Sequence, residues 1–392
     1  MRTRVHLSVL ACLACAAMML LLAACGGGSS SGSTESGGDT TAASSSGGGA
    51  EYGVGLELGK TIGEAKVGIA EPPYLAWDAD SCSYKEVPEP AGGYPTALTR
   101  EVSGEPQIGY MFYGDTDPFG VANSKSVKAV ASEAGFKLNT YNLKYPSETE
   151  PIAQAKVSVL KGDLGVMQAQ QLPALNGAFL KILQEEGCIP SIQMYLKTPD
   201  VPSMGADFGS VGTVQGEWLA EYAAENNLDP KTTALVECTD PELGDTVNVM
   251  FDNAPEALRK EGFEIPDENV FKLTCPAQKA ESAVTDWFTA NPNFDSIMMT
   301  TIDDERMKGM TNAAAKTGNE EKVVSIASGV DELGQAQIRS GAETASVAFF
   351  PERYGEWLIP LLQDVLAGNP VPSFTGTDLV VITSENIDQY YK

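Results

Sequence analysis

Two pairs of aspartates have the residue type and spacing for acid–base chemistry: Asp115 with Asp117, and Asp303 with Asp304. Two carboxylates flanking a bond can act as general acid and general base. Adjacent residues on one backbone usually point apart, however, and acidic clusters are common in a chain with a net charge of −27. We therefore predict no catalytic residues and no enzymatic activity, and we keep these carboxylates as candidate hydrogen-bond acceptors for a ligand.

Other reactive chemistries find little support in the sequence. The single histidine, His6, lies in an N-terminal segment that we expect to be removed, which excludes Ser-His-Asp, Cys-His and histidine-ligated zinc sites. The acidic groups at 240–245 and 78–80 lack the spacing of a known calcium loop and are interpreted as solvated turns. No metal and no cofactor are predicted.

The first aspartate pair must be positioned by a strand, a loop and a helix. An apolar strand is predicted at 108–113, and the helix that follows the loop has one apolar face, formed by Val127, Val130, Ala131 and Ala134. In open α/β sheets, ligands bind at the loops that leave the carboxyl ends of strands. We therefore expect Asp115 or Asp117 to accept hydrogen bonds from a ligand, and Phe119 to stack on it.

Composition limits the function further. A chain of 392 residues is longer than one hydrophobic core usually supports, so two lobes are expected. The strongly negative net charge argues against nucleic acid as a partner, because DNA and RNA binding requires cations that neutralise phosphates. It is also unfavourable for direct adsorption to an anionic membrane surface.

The N-terminal residues predict export and anchoring. A positive start (Arg2, Arg4) and an apolar stretch at 7–24 are typical of a signal peptide over residues 1–25. The stretch ends in Leu-Ala-Ala-Cys-Gly, which resembles a bacterial lipobox with Cys25 as the lipidated residue. The alternatives are an ordinary signal peptide or an N-terminal membrane helix. Residues 26–50, rich in glycine and serine, are predicted to be a flexible tether.

After an N-terminal extension at 51–106, which we expect to pack on the first lobe, strands and helices alternate in two successive runs. This alternation predicts class α/β with parallel sheets. Strands are predicted at 108–113, 137–143, 163–168, 189–195, 233–238, 270–275, 296–300, 323–327, 345–350 and 378–382. Helices are predicted at 120–134, 148–160, 175–186, 213–225, 247–261, 280–290, 305–317, 333–340 and 353–366.

Four cysteines remain once the signal peptide and Cys25 are set aside, and they allow three disulfide connectivities. Cys238 and Cys275 end consecutive predicted strands that are neighbours in a doubly wound sheet, which favours a bridge between them. That pairing leaves Cys82 with Cys188, a bridge that would tie the extension to the first lobe. Four buried free thiols are the alternative.

Six short segments resemble the type I periplasmic binding proteins of the ribose and galactose group. Asp117-Pro118-Phe119 is similar to that family's polar-Pro-Phe turn after the first strand. The other five segments are GCIPSI at 187–192, FGSVGTVQG at 208–216, NPNFDSI at 291–297, DDERMKG at 303–309 and ASVAFFPERYG at 345–355. Together the six segments extend the resemblance over roughly 107–392.

The resemblance implies a clam-shell in which two Rossmann-like lobes with parallel, doubly wound sheets are joined by a three-strand hinge and close on a small ligand. Lobe 1 is expected over 107–209 with 350–376, and lobe 2 over 210–349 with 377–392. The implied function is an extracytoplasmic, monomeric, lipid-anchored binding protein that delivers its ligand to an ABC transporter permease. The alternative is a sensor of the same fold that signals to a membrane receptor.

The resemblance also implies a set of ligand-binding residues. Tyr195 falls where the sugar-binding relatives have an aspartate, Phe349 falls at a glutamine position, and Asp303 falls at an asparagine position. Ser328 follows Ala327, which occupies another aspartate position. Few of the polar residues that would pair with sugar hydroxyls are left, so we expect a more aromatic and apolar pocket.

Overall fold

The computed structural model describes residues 56–65, 69–94, 97–113, 118–144, 147–170 and 172–392. The predicted signal peptide with Cys25, the tether, and the loop that carries Asp115 and Asp117 lie outside the described residues. Expectations for these segments therefore stay predictions.

Sixteen strands are formed by the described residues. They are β1 (Leu58–Ala65), β2 (Ile69–Asp78), β3 (Ser83–Val87), β4 (Ala97–Val102), β5 (Gln107–Phe112), β6 (Lys137–Asn142), β7 (Val166–Gln168), β8 (Ser191–Met194), β9 (Ser203–Gly205), β10 (Thr233–Thr239), β11 (Val270–Thr274), β12 (Ser296–Thr301), β13 (Val323–Gly329), β14 (Ala345–Ala348), β15 (Val371–Gly376) and β16 (Val380–Thr383).

Eleven α-helices lie between or after these strands in the described residues. They are α1 (Pro118–Glu133), α2 (Glu150–Lys161), α3 (Pro173–Lys181), α4 (Phe208–Glu225), α5 (Asp245–Asn248), α6 (Met250–Lys260), α7 (Ala280–Ala290), α8 (Asp304–Thr317), α9 (Glu332–Ser340), α10 (Tyr354–Leu366) and α11 (Ile387–Tyr390). None of these helices is long and apolar enough to cross a membrane.

Two large sheets organise the described chain. The first has the order β3-β2-β15-β9-β8-β7-β5-β6, and the second has the order β11-β10-β12-β13-β14-β16. The strands from β5 to β9 pair in parallel, as do those from β10 to β14. This arrangement confirms the predicted α/β class with two parallel-sheet lobes.

Within the described residues, the chain passes between the two sheets three times. These crossings lie between β9 and α4, between β14 and α10, and between β15 and β16. Strand β15 pairs in parallel with β9, with Gly376 opposite Gly205, so two of the crossings leave from neighbouring strands. Because the carboxyl ends of parallel strands share one edge of a sheet, the loops of both sheets meet where the chain crosses.

The extension contributes strands of its own. The hairpin β2–β3 adds two antiparallel strands to the first sheet, where Ile69 lies opposite Gly376 of β15. Tyr84 of β3 donates a hydrogen bond from its hydroxyl to the carbonyl of Ser191 in β8, at 2.8 Å. Strands β1 and β4 form a separate antiparallel pair. The extension is thus part of the first sheet, which is a closer association than the packing expected from the sequence.

Both expected cysteine pairs lie at disulfide distance. The Cα atoms of Cys82 and Cys188 are 4.9 Å apart, and those of Cys238 and Cys275 are 5.3 Å apart. Both separations are typical of disulfides. The first pair joins the β2–β3 hairpin to the loop before β8, and the second joins the ends of β10 and β11.

Candidate ligand-binding site

A cavity of about 290 Å³ lies where the strand-end loops of the two sheets meet. The first lobe contributes residues that follow β5 and β8 and residues at the start of α1. The second contributes residues that follow β10, β12 and β14 and residues at the end of β13 and just after it. The lining consists of Tyr113, Pro118, Phe119, Tyr195, Leu196, Phe208, Leu243, Val247, Ile302, Asp303, Glu305, Arg306, Ser328, Gly329, Asp331 and Phe349.

One wall of the cavity is aromatic. Phe119, near the start of α1, has its ring centre 5.5 Å from that of Tyr195 and 5.6 Å from that of Phe349. Phe349 in turn packs edge-on against Phe208, with ring centres 6.4 Å apart. These separations are in the range of favourable aromatic pairs, so the rings hold one another in place.

Tyr195 is fixed by a buried polar chain behind the aromatic wall. The side-chain amide of Asn123 donates to the Tyr195 hydroxyl oxygen at 2.8 Å, and the Tyr110 hydroxyl donates to Asn123 Oδ1 at 2.8 Å. Across from Tyr195, a Cβ on Gly205 would lie 2.9 Å from the Tyr195 Cα atom, so only glycine fits there. The orientation of the Tyr195 ring is therefore set before any ligand binds.

Left-handed backbone conformations occur at three strand ends that adjoin residues of the cavity lining. Tyr195 has φ of 71°, Val330 has φ of 56° and Phe350 has φ of 53°, and none of them is glycine. Such conformations cost free energy and are found preferentially at functional sites. They follow β8, β13 and β14, so side-chain directions at these strand ends come from the turns and not from strand alternation.

The opposite wall is built around Arg306, which is 9% exposed. Its guanidinium donates from Nη2 to Asp240 Oδ2 at 2.7 Å, from Nη1 to the Asp303 carboxylate, and from Nε to the carbonyl oxygen of Cys275 at 3.0 Å. Burial lowers the pKa of Arg306, but the Asp303 and Asp240 carboxylates more than offset it and leave the pKa raised. Arg306 is therefore charged at any physiological pH.

The carboxylates of this wall are also helix caps. Asp303 accepts a hydrogen bond from the backbone N–H of Arg306 at 2.7 Å at the start of α8. Asp331 accepts from the N–H groups of Leu333 and Gly334, at 2.7 and 3.0 Å, at the start of α9. Capping satisfies N–H groups that have no partner within the helix and explains why aspartates occupy these positions.

Asp304 points away from its neighbour Asp303. Its carboxyl group accepts hydrogen bonds from Ser346 Oγ at 2.8 Å and from the backbone N–H of Asp331 at 3.0 Å. It is 1% exposed, and burial followed by the nearby Asp331 carboxylate raises its pKa well above the usual range. Asp304 thus links the start of α8 to β14 and to the start of α9, and it does not line the cavity.

The structure brings together five of the seven ligand-binding candidates. Phe119, Tyr195, Asp303, Ser328 and Phe349 all line the cavity. Asp115 and Asp117 precede the lining residue Pro118 in the sequence but lie outside the described residues.

Sequence reasoning missed three residues that shape the site. Arg306 lies within the quoted DDERMKG segment, but its role depends on partners far along the chain. Asn123 lies on the buried face of α1, one turn before Val127. A polar residue on an otherwise apolar helix face was the signal in the sequence that could have identified it. Phe208 opens the segment FGSVGTVQG, which predicts no role for it, and it lines the cavity. Among the described residues, no group of three or more His, Cys, Asp or Glu side chains could hold a metal ion.

Comparison with known proteins places the fold. A family model described as a periplasmic binding protein domain matches residues 108–370. No curated protein matched the chain. A periplasmic solute-binding protein of an ABC transporter from Actinobacillus succinogenes, with bound D-allose, is 16% identical, covers 73% of this chain and 100% of its own, and superposes with a TM-score of 0.61.

Two further structures are similar at the level of fold. The Caulobacter myo-inositol binding protein is 17% identical over 74% of this chain and 97% of its own, with a TM-score of 0.62. A putative LacI transcriptional regulator from Bacteroides fragilis is 16% identical over 74% of this chain and 100% of its own, also with a TM-score of 0.62. With the family model matching most of the chain, the protein belongs to the periplasmic binding protein family and has its type I fold.

Proposed function

We propose that this protein is an extracytoplasmic, lipid-anchored binding protein that captures one small molecule between its two lobes and delivers it to an ABC transporter permease. The observation that carries the proposal is the cavity between the two sets of strand-end loops, next to the three chain crossings. In such folds the lobes rotate about the crossings, and a ligand that contacts both lobes stabilises the closed form.

The lining supports a solute with an apolar or aromatic face. Phe119, Tyr195 and Phe349 offer rings, while Asp303 and Arg306 offer charged groups for orientation. Binding in such pockets depends on a mainly apolar lining with a few placed polar groups. No step of covalent chemistry is proposed.

A thermal-shift screen tests solute binding. Full-length protein is mixed with sugars, polyols, nucleosides, aromatic acids and amines, and hits are measured by calorimetry for 1:1 stoichiometry. A ligand at 100 times its Kd should stabilise the protein by about 2.7 kcal/mol. Phe119→Ala should weaken the shift, whereas Val157→Ala, on the exposed side of α2, should leave it unchanged. A panel without any hit contradicts the proposal.

Anchoring through Cys25 has a separate test. The lipobox-like Leu-Ala-Ala-Cys sequence and the following tether support it. Cys25→Ser should move the protein from the membrane fraction to the soluble fraction of cells, and size-exclusion chromatography of that variant should give a monomer. Recovery of the variant in the membrane fraction would argue for an ordinary membrane helix.

Sensing is the second candidate, since the fold is shared with a putative transcriptional regulator. Transport and sensing make different predictions for cells that lack the protein. Loss of uptake of the bound solute supports delivery to a permease. Normal uptake with loss of a transcriptional response to the solute supports a sensor.

A further inference from the structure

We propose that the ligand of the cavity is a small organic cation, held between aromatic rings and the carboxylates of the second lobe. This inference rests on the proposed function, because it names the chemical class of solute for the same cavity. It departs from two structures of similar fold, which hold the neutral ligands D-allose and myo-inositol.

The charges that line the cavity are unequal in number. Among the described lining residues, Asp303, Glu305 and Asp331 each bring a carboxylate, whereas Arg306 brings one guanidinium. Arg306 is also paired with a carboxylate outside the lining, that of Asp240, at 2.7 Å. Arg306 and its two carboxylate partners, Asp303 and Asp240, together carry one net negative charge, and the exposed Glu305 adds a second. The charge that these residues present to the cavity is therefore negative, so an anionic ligand is repelled and a cation is attracted.

The aromatic rings suit the same kind of ligand. The face of an aromatic ring carries partial negative charge and attracts an ammonium group, most strongly where water is displaced. Rings come from both lobes, because Phe349 follows β14 of the second sheet and Tyr195 follows β8 of the first. The aromatic lining residues are Tyr113, Phe119, Tyr195, Phe208 and Phe349.

Two donor groups of the described lining already donate within the protein. The Ser328 hydroxyl donates to a backbone carbonyl, and Arg306 donates to Asp303, Asp240 and the carbonyl of Cys275. A sugar hydroxyl both donates and accepts, so a sugar also needs donors from the protein. An ammonium ion needs only acceptors or electron-rich faces, which this cavity supplies.

Two matched pairs of probes test the proposal by calorimetry on the full-length protein in nonionic detergent. Choline is compared with 3,3-dimethyl-1-butanol, which has the same shape without the charge, and phenethylamine is compared with phenethyl alcohol. D-allose and myo-inositol are measured in parallel. We expect at least one cation to bind 1:1 and at least about tenfold more tightly than its neutral partner, as one cation–π contact in a desolvated site would give.

The outcomes separate this inference from the proposed function. Cations that bind no better than their neutral partners overturn the inference. A sugar that binds where neither cation does also overturns it and leaves the proposed function standing. If no probe and no solute of the wider panel binds, both fall together.

Variants then test the role of charge without disturbing the fold. Glu305 is exposed at the cavity, so Glu305→Gln removes one lining charge at little structural cost. The affinity for the cation should fall about two- to fivefold, as expected for one exposed charge, and the affinity for the neutral partner should not change. Glu186→Gln removes another exposed charge, away from the lining, and should affect neither. An equal loss of affinity for cation and neutral probe contradicts the inference.

Discussion

Arg306 donates from its guanidinium Nε to the backbone carbonyl of Cys275 at 3.0 Å, which ties the cavity wall to the end of β11. The backbone N–H of Cys275 donates in turn to the carbonyl of Thr239 at 2.8 Å, and the hydroxyl of Thr301 donates to the carbonyl of Cys238 at 3.1 Å. The cysteine pair at the ends of β10 and β11 therefore lies directly behind the guanidinium that lines the cavity.

The first prediction is that the pair Cys238 and Cys275 forms a disulfide that positions Arg306. Replacing both residues by serine should lower the free energy of unfolding by about 3–4 kcal/mol, because the bridge closes a loop of 37 residues. Ligand affinity should also fall, by about tenfold, since the carbonyl that orients Arg306 is no longer held. Denaturant unfolding and calorimetry measure the two effects.

The pair Cys82 and Cys188 is the matched control. Its sequence separation of 106 residues predicts a larger loss of stability, about 4–5 kcal/mol, when both residues become serine. Because these cysteines join the hairpin to the first sheet and do not contact Arg306, ligand affinity should be unchanged. Peptide mapping that finds a different connectivity, or equal losses of affinity in both variants, would refute the assignment.

Tyr195→Phe tests the polar chain behind the aromatic wall. The variant keeps the ring but removes the hydroxyl that accepts from Asn123, which is fully buried. A buried donor without a partner costs about 1–3 kcal/mol, so the free energy of unfolding should fall by that amount. Tyr390→Phe, at a residue 47% exposed, should change it by less than about 0.5 kcal/mol. Similar stabilities for the two variants would mean that the Asn123 contact contributes nothing.

The alternating strands and helices could be predicted because the spacing of apolar residues along the chain is a local property of the sequence. The predicted strand at 137–143 corresponds to β6, and the predicted helix at 280–290 to α7. Strands β9 and β15 were missed, since three residues at Ser203–Gly205 and a segment with Pro372 carry no recognisable alternation. They are strands because they pair with each other and with their other neighbours, β8 and β2.

The residues of the site could also be predicted only in part. Prediction succeeded where the position after a strand decides and failed where contacts between residues distant in sequence decide. Phe119 follows the loop after β5, Asp303 follows β12, and loops at strand ends are where α/β proteins bind ligands. Arg306 and Asn123 acquire their roles from Asp240 and Tyr195, which lie 66 and 72 residues away in sequence. Such contacts depend on the completed fold, so neither composition nor spacing reports them.

Helices α4 and α6 are packed so closely that glycine is required between them. A Cβ on Gly212 of α4 would lie 2.1 Å from the carbonyl oxygen of Met250, a backbone atom. Gly212→Ala should therefore lower the free energy of unfolding by at least about 2 kcal/mol, measured by urea titration. Gly177, in α3, has no atom within 4 Å of an added Cβ, so Gly177→Ala should raise stability by about 0.5–1 kcal/mol. Stabilisation by both substitutions would show that the helices are free to separate.

The buried carboxyl group of Glu237 should make the free energy of unfolding fall as the pH rises. It is fully buried in β10, and neither carboxyl oxygen has a hydrogen-bond partner among the described residues. Burial raises its pKa to about 8, with smaller and partly opposing effects of Lys272, Asp252 and Arg259.

Because the folded-state pKa of Glu237 is raised, the stabilisation by its neutral form is complete below the unfolded pKa, near 4.5, and is lost as the pH rises towards 8. The loss is about 1.4 kcal/mol for each pH unit in this range. Glu237→Gln keeps the shape and cannot ionise. It should match the wild type in thermal stability near pH 4.5 and exceed it increasingly up to pH 8. A difference between the two proteins that stays constant with pH would show that Glu237 ionises as freely in the folded protein as in the unfolded chain.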